Sequence, residues 1–287
     1  MKHITSIDCS DKSQTISKAD QALFKQEGCF LLKSFLQLEE AKHYRQTIDE
    51  ILDLEAGSNP NPSARKVTST MADGVTKNSK LWPLIFDPRL LKTIRELVGP
   101  DIRYTQHSDI HINLPGGRWH RDNAHRAFDQ GADWQEHKEI YGVVRVAIYL
   151  SHFGTSGSSL LILPGSHRSE TKWNQWEYVL WNKLRTFARE KNWNEYLPHI
   201  FLSRPYRRLK TKPGDCLIFD QRVMHAGGIL RGPLSKYALY MSFGLNNIHS
   251  TNHRDFFLER PTYSKDIPDK LREKLHATGL LLPTPNQ

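Results

Sequence analysis

The sequence is poor in cysteine. Three thiols, Cys9, Cys29 and Cys216, are scattered over 287 residues with no C-x-x-C pair, so neither a disulfide framework nor a thiolate zinc site is expected. It also lacks any apolar run approaching the roughly 20 residues that span a bilayer as a helix. Met1-Lys2-His3-Ile4-Thr5 carries no apolar signal core, the pattern expected of a cytoplasmic protein in a reducing compartment. Internal repeats and low-complexity tracts are missing too, which excludes solenoid architectures. Acidic residues are in the minority: 31 Asp and Glu stand against 40 Lys and Arg, a formal net charge of +9. The excess favours anionic partners such as carboxylated or phosphorylated metabolites, nucleic acid or an anionic membrane face, without choosing among them. Lysines that merely solvate the surface would give the same total.

What is present fits one elaborated domain, with 38% hydrophobic residues to bury. Residues 18–55 carry helical periodicity through Leu23, Phe24, Phe30, Leu31, Phe35, Ala41, Tyr44, Ile48, Ile51 and Leu52, broken at Gly28 and Ser34, and predict two or three helices. Residues 56–78, rich in Gly, Ser, Asn, Pro and Thr, read as a loop able to cover a site. Helix is expected again from Leu81 to Val98. From Ile102 to Asn113 the pattern turns strand-like, and further β-rich runs fall at Tyr141–Leu150, Ser159–Leu163, Asp215–Phe219 and Lys236–Phe243. This predicts an α+β chain with a mainly β core: a helical part at 18–98, a β core at 100–250 and a C-terminal extension at 251–287. A helical insertion is expected at about 173–195, where Trp176, Leu180, Trp181, Leu184 and Phe187 recur at helical spacing among Lys183, Arg185 and Arg189. Such a helix either packs its aromatic stripe on the core or forms a lid or an interfacial element against lipid headgroups. Tyr206-Arg207-Arg208-Leu209-Lys210 and Lys212 extend the basic surface beside it.

The chemistry is carried by Trp119-His120-Arg121-Asp122 and a distant histidine, His225. On an extended segment, residues two apart share a face, so His120 and Asp122 arrive pre-aligned. Two imidazoles and one carboxylate on one side of a metal leave other positions open, a donor set suited to non-haem Fe(II). Zinc with an activated water, as in a hydrolase, uses similar ligands, but no separate general base stands out. His107, Asp109 and His111 alternate on the preceding strand and form a weaker alternative triad. His125, at an odd offset from His120, is expected to face away from the metal. Of Thr105 and Gln106 only one is expected to face inward. His167 is expected to order a loop, and Arg121 and Arg126 to face the substrate mouth or solvent.

Taken in order, Val98-Gly99-Pro100-Asp101, His120-Arg121-Asp122, Gly157, Leu163-Pro164-Gly165-Ser166-His167, Gly214-Asp215 and His225 resemble the phytanoyl-CoA dioxygenase family from about Phe24 to Gly244. The resemblance implies a double-stranded β-helix, a jelly roll of cupin type, with flanking N-terminal and inserted helices. It also implies Fe(II) as metal, 2-oxoglutarate as co-substrate and O2, with His120, Asp122 and His225 as metal ligands. The family's co-substrate arginine, which opens the strand after the distal histidine, is replaced here by Lys236. Lys236, Ala238, Tyr240 and Ser242 share one face of that strand, and Tyr237, Leu239, Met241 and Phe243 the other. A lysine turned into a barrel is costly unless paired, so a carboxylate partner accounts for it. Arg231, in the loop before the strand, is the competing anchor.

Hydroxylation of an unactivated C–H bond is the expected reaction, because Asp122 occupies a position that halogenases keep small. A nucleic-acid demethylase is disfavoured because the late strand lacks the spaced arginine pair of such enzymes, and a metal-free binding module because all three ligands are intact. Charge, the Trp-rich insertion and the absent signal core together suggest an acidic small molecule or glycolipid, met at a cytoplasmic membrane face. A sugar acid of a lipid precursor, such as the Kdo of lipid A, fits that description. A soluble acyl-CoA, phosphonate or natural-product intermediate is the alternative.

Overall fold

The computed structural model describes residues 5–9, 15–52, 69–114, 119–157, 160–168, 206–228 and 234–283, with the single positions 183, 187 and 230. Two of the expected features, the helical insertion and Arg231, lie outside the described residues, the first apart from Lys183 and Phe187.

Two sheets face each other. The larger contains β1 (Ser6–Asp8), β2 (Cys29–Lys33), β3 (Ser69–Ala72), β4 (Ile102–Tyr104), β5 (Asp109–Ile112), β6 (Val144–Tyr149), β9 (Cys216–Asp220) and β11 (Tyr237–Leu245), in the order β1-β2-β9-β6-β11-β5-β3 with β4 also on β11. The smaller runs β10 (His225–Gly227), β7 (Leu160–Ile162), β8 (Arg207–Arg208). Strict alternation assigns the faces. Val144, Val146 and Ile148 of β6, Cys216 and Ile218 of β9, and Tyr237, Leu239, Met241 and Phe243 of β11 pack against the helices. Their neighbours Ala147, Tyr149, Leu217, Phe219, Ala238 and Tyr240 meet Leu160 and Ile162 of the small sheet between the layers. This arrangement is a double-stranded β-helix, and its period of two explains why nearly every residue of these strands is buried.

The helices back the large sheet: α1 (Lys18–Glu27), α2 (Leu38–Ile51), the short α3 (Gly74–Lys77) and α4 (Trp82–Ile85), and α5 (Pro88–Val98). The expectation of helix through 18–55 is corrected in its middle. Cys29–Lys33 is a strand, registered antiparallel on β9, because Gly28 ends α1 in the left-handed region at φ 73 and releases a continuous apolar run that suits a strand buried on both faces. The single helix expected at Leu81–Val98 is two, since Asp87 caps the backbone of Arg89 and Leu90 and Pro88 opens a new first turn. The loop expected at 56–78 contains β3 and α3 from Ser69 onward. The strand expected from Ile102 to Asn113 breaks at Gln106, whose φ is 61.

The Gly214-Asp215 pair has a structural task. Asp215 accepts the backbone N–H of Ser34 (2.9 Å) and of Lys212 (2.8 Å), tying the start of β9 to the end of β2. Gly214 sits at φ 92, and a Cβ there would collide with the carbonyl oxygen of Leu36. Gly214→Ala is therefore expected to destabilise the fold by at least about 2 kcal/mol, read as a lower melting temperature. A variant with unchanged Tm would show that this turn relaxes freely.

Candidate active site

His225 opens β10, and the backbone N–H of His225 and of His120 each bonds the other's carbonyl, at 3.0 and 2.9 Å. This two-bond bridge brings residues from distant parts of the chain side by side. The next residues alternate: Asp122 returns to the cleft, with its N–H on the Gln221 carbonyl (2.9 Å), while Arg121 turns inward, away from it. Arg121 is buried, donating to the carbonyls of Arg222 (2.8 Å) and Ser166 (3.2 Å). The expectation that it faces the mouth or solvent is thus corrected: it staples the bridge from behind, and Arg126 alone of the pair is exposed.

His120 Nε2 lies 3.5 Å from Asp122 Oδ1, and His225 Nε2 lies 3.4 Å from Asp122 Oδ2. Donor atoms of all three lie within 4.8 Å of one another, and among the described residues they form the one such metal-capable group. The donor set fits a divalent metal on a second count. The Nδ1 of His225 is 2.9 Å from the Val223 carbonyl, which holds its proton there and leaves the Nε2 lone pair facing the other donors. Burial would raise the Asp122 carboxyl, but His225, His120 and Arg145 outweigh it and hold the group well below the carboxylate range.

A cleft of about 270 Å³ opens over these residues, lined also by Lys236 just before β11, by Ala238 and Tyr240 from β11 and by Leu160 and Phe219 from the facing layers. Lys236 is positioned by Asn113, which accepts its N–H (2.8 Å) and donates its own to the Lys236 carbonyl (2.9 Å). Burial alone pushes the Lys236 ammonium down to about 8.

Deeper in the cleft stands a polar cluster that periodicity did not reveal. Arg145 of β6 pairs with Asp109 of β5 and donates to Ser242 Oγ (3.0 Å) and the His107 carbonyl (3.2 Å). Tyr263 donates to the other Asp109 oxygen at 2.7 Å. Burial opposes the Asp109 charge, yet Arg145 and His107 keep its carboxyl far below the ordinary range. His107 and His111 are each lowered to about 4 by burial and so are neutral. The alternative triad of His107, Asp109 and His111 is thereby displaced: Asp109 is committed to Arg145 and Tyr263. Thr105 and Gln106 are both buried and line no part of the cleft. His125 sits 3.4 Å from Asp133, holding the loop after the triad, and His167 Nε2 lies 3.0 Å from the Lys25 carbonyl.

The C-terminal region forms one wall. Helix α7 (Ile248–Leu258), which follows the short α6 (Phe153–Ser156), brings Phe257 to the cleft, and the turn after it brings Arg260 and Tyr263. No signal in the sequence pattern marked these as site residues, because they lie beyond the strands that carry the motifs. α8 (Asp269–Ala277) then packs Leu271 and Leu275 into the core.

A β-helix with two histidines and an aspartate converging beside a buried cation defines a non-haem 2-oxoglutarate oxygenase fold. The chain belongs to the phytanoyl-CoA dioxygenase family, whose model matches residues 24–236. The enzyme is therefore a dioxygenase, and the cofactor set that goes with it is Fe(II), 2-oxoglutarate and O2. A zinc hydrolase does not agree with that membership. Solved structures share the fold at low identity. The carbocyclase SnoK from nogalamycin biosynthesis, described as non-heme and alpha ketoglutarate dependent, aligns at TM-score 0.56 and 16% identity over 81% of this chain and 85% of its own. HygX from Streptomyces hygroscopicus, with nickel and 2-oxoglutarate bound, aligns at 0.54 and 16% over 80% and 88%. Apo EctD from S. alaskensis aligns at 0.54 and 14% over 85% and 81%. No curated protein matches the chain by sequence. Among the described residues no helix is long and apolar enough to cross a membrane.

Proposed function

We propose that His120, Asp122 and His225 hold Fe(II), that Lys236 anchors the far carboxylate of 2-oxoglutarate, and that the enzyme hydroxylates an unactivated C–H bond of an acidic small molecule. The observation that carries the reading is a three-donor metal cluster and a buried lysine lining one cleft. O2 would be the oxidant, with Fe(II) to activate it and 2-oxoglutarate, oxidised to succinate and CO2, to supply two of its four electrons; the chain's own residues orient and shield. Asp122 contributes the negative charge of the ligand set, and His225 presents Nε2 because Val223 holds its other nitrogen. Phe219, Leu160 and Ala238 line the cleft with apolar surface that excludes water. An acidic substrate agrees with the net charge of +9 and with a cleft whose cations outnumber its carboxylates. Within that class a sugar acid of a lipid precursor, such as Kdo, is the specific candidate, met by peripheral contact with an anionic membrane face.

Anaerobic titration of Fe(II) with 2-oxoglutarate, followed by the visible charge-transfer band of the chelate, tests the assignment. The band is expected in the wild type, and its absence would overturn the reading. Lys236 makes the titration pH-dependent. Only the ammonium pairs with a carboxylate, and with its pKa near 8 in the ligand-free protein, 2-oxoglutarate affinity is constant below that value and falls by up to about tenfold per pH unit above it. Lys236→Met removes both the binding and the pH dependence. Unchanged affinity in Lys236→Met would move the anchor to Arg231.

A further inference from the structure

The charges of the cleft do not close. At neutral pH its lining carries three cations, Arg145, Lys236 and Arg260, against two carboxylates, Asp109 and Asp122. Arg145 and Asp109 neutralise each other. A divalent metal and dianionic 2-oxoglutarate also cancel, Asp122 going with the former and Lys236 with the latter. One positive charge is left over, and it is Arg260. Among the described residues no carboxylate lies within ion-pair reach of its guanidinium, although Arg260 is half-buried at the cleft wall.

Arg260 is also held in place. It follows the end of α7 in a turn where its N–H bonds the Phe257 carbonyl and its own carbonyl accepts from Tyr263, both at 3.1 Å. Tyr263 is in turn fixed on Asp109. The guanidinium carbon lies 4.2 Å from the ring centre of Phe257 and 4.9 Å from that of Phe256, so the side chain is laid on aromatic faces and loses little freedom on binding. Arg126, 5.1 Å from the same Phe256 ring, adds a second positive charge nearby.

We infer that Arg260 is the substrate's anion subsite: its planar donors take a carboxylate or phosphate oxyanion and thereby aim the rest of the substrate at the metal cluster. This rests on the acidic-substrate reading above and names the residue that selects for the acid. It is a binding and positioning role, distinct from that of Lys236, which serves the co-substrate.

Calorimetric titration of the anaerobic Fe(II)- and 2-oxoglutarate-loaded enzyme with Kdo, its uncharged methyl ester and inorganic phosphate tests it. Wild type is expected to bind an anionic probe roughly 10- to 100-fold more tightly than Arg260→Gln does, the range for a lost charge-assisted contact. Arg260→Lys recovers part of the loss, and 2-oxoglutarate affinity from the charge-transfer band stays at the wild-type value in both variants. Preference for Kdo over its ester, lost in Arg260→Gln, supports a sugar-acid carboxylate. Arg260-dependent binding of phosphate without Kdo supports the subsite with a phosphate source and sinks the sugar-acid reading alone. Equal binding by wild type and Arg260→Gln, no binding of any anionic probe to wild type, or a matching fall in 2-oxoglutarate affinity each overturns the subsite. A missing charge-transfer band in wild type would instead strike the oxygenase assignment of the cluster. Circular dichroism of Arg260→Lys, which keeps the cation on the phenyl rings, controls for folding.

Discussion

Asp122→Ala is expected to lower succinate formation from 2-oxoglutarate by on the order of a thousandfold, a barrier increase of about 4 kcal/mol. Three features make the effect large. Asp122 is the one anion of the donor cluster, so its loss leaves a divalent metal facing two neutral imidazoles among the cations Arg145 and Lys236. Both carboxylate oxygens are engaged, one towards each histidine, so the carboxylate also sets the angle between the rings. Nothing else in the described cleft replaces it, since Asp109 is held by Arg145 and Tyr263. The fold should survive, because the backbone N–H of Asp122 keeps its bond to Gln221. Circular dichroism like the wild type with no Fe(II)–2-oxoglutarate band is the expected pair of results. A variant that keeps both band and turnover would remove Asp122 from the ligand set.

Arg145→Met carries the largest expected effect on stability. Breaking a buried ion pair leaves one charge without its partner and typically costs about 3–5 kcal/mol, here a fall in Tm on the order of 10 °C. Asp109 is the charge left behind, only 4% exposed. Its carboxyl is depressed in the folded protein, so the pair's contribution is present above the unfolded value near 4 and is lost as pH falls below it. The difference in stability between wild type and Arg145→Met should therefore shrink in acid. The double variant Asp109→Leu/Arg145→Met should recover part of the loss, since neither charge then remains buried alone. A single variant with wild-type Tm across pH 4–8 would show that water reaches Asp109 freely.

How much of this was legible in the sequence follows from the range of each interaction. His120 and Asp122 were readable because a period of two is local, and the two faces of Tyr237–Leu245 for the same reason. His225 was readable only in the company of the Gly-Asp and Pro-Gly-Ser-His turns: Asp215 ties the start of β9 to β2, and Ser166 Oγ accepts the N–H of Met224 (2.7 Å) just before β10. Cys29–Lys33 is not legible as a strand, since five apolar-rich residues bounded by Gly28 carry no period that separates a doubly buried strand from a helix. The Asp109–Arg145–Tyr263 cluster was not legible at all. Its tyrosine lies 154 residues from the aspartate, Arg145 and Tyr263 alone read as ordinary polar residues, and Asp109 reads as a member of the alternative triad. Arg260 was hidden likewise, because its meaning depends on which carboxylates are already taken.

The paired backbone hydrogen bonds between His120 and His225 bear on how the enzyme acquires its metal. In the proposed ligand set, the spacing of His120 and His225 is set by an isolated backbone bridge that closes with the β-helix, so folding without added metal is expected to bring the donors together. Folding and metallation are then separate events, unlike in small zinc domains whose ligands are gathered by the ion itself. His120, with 38% of its side chain exposed, faces the solvent side of the cluster while His225 is almost fully enclosed. Under the proposed assignment, His120 is therefore the ligand expected to open first when the metal exchanges, and His120→Ala should speed loss of bound metal to a chelator more than it lowers the Tm.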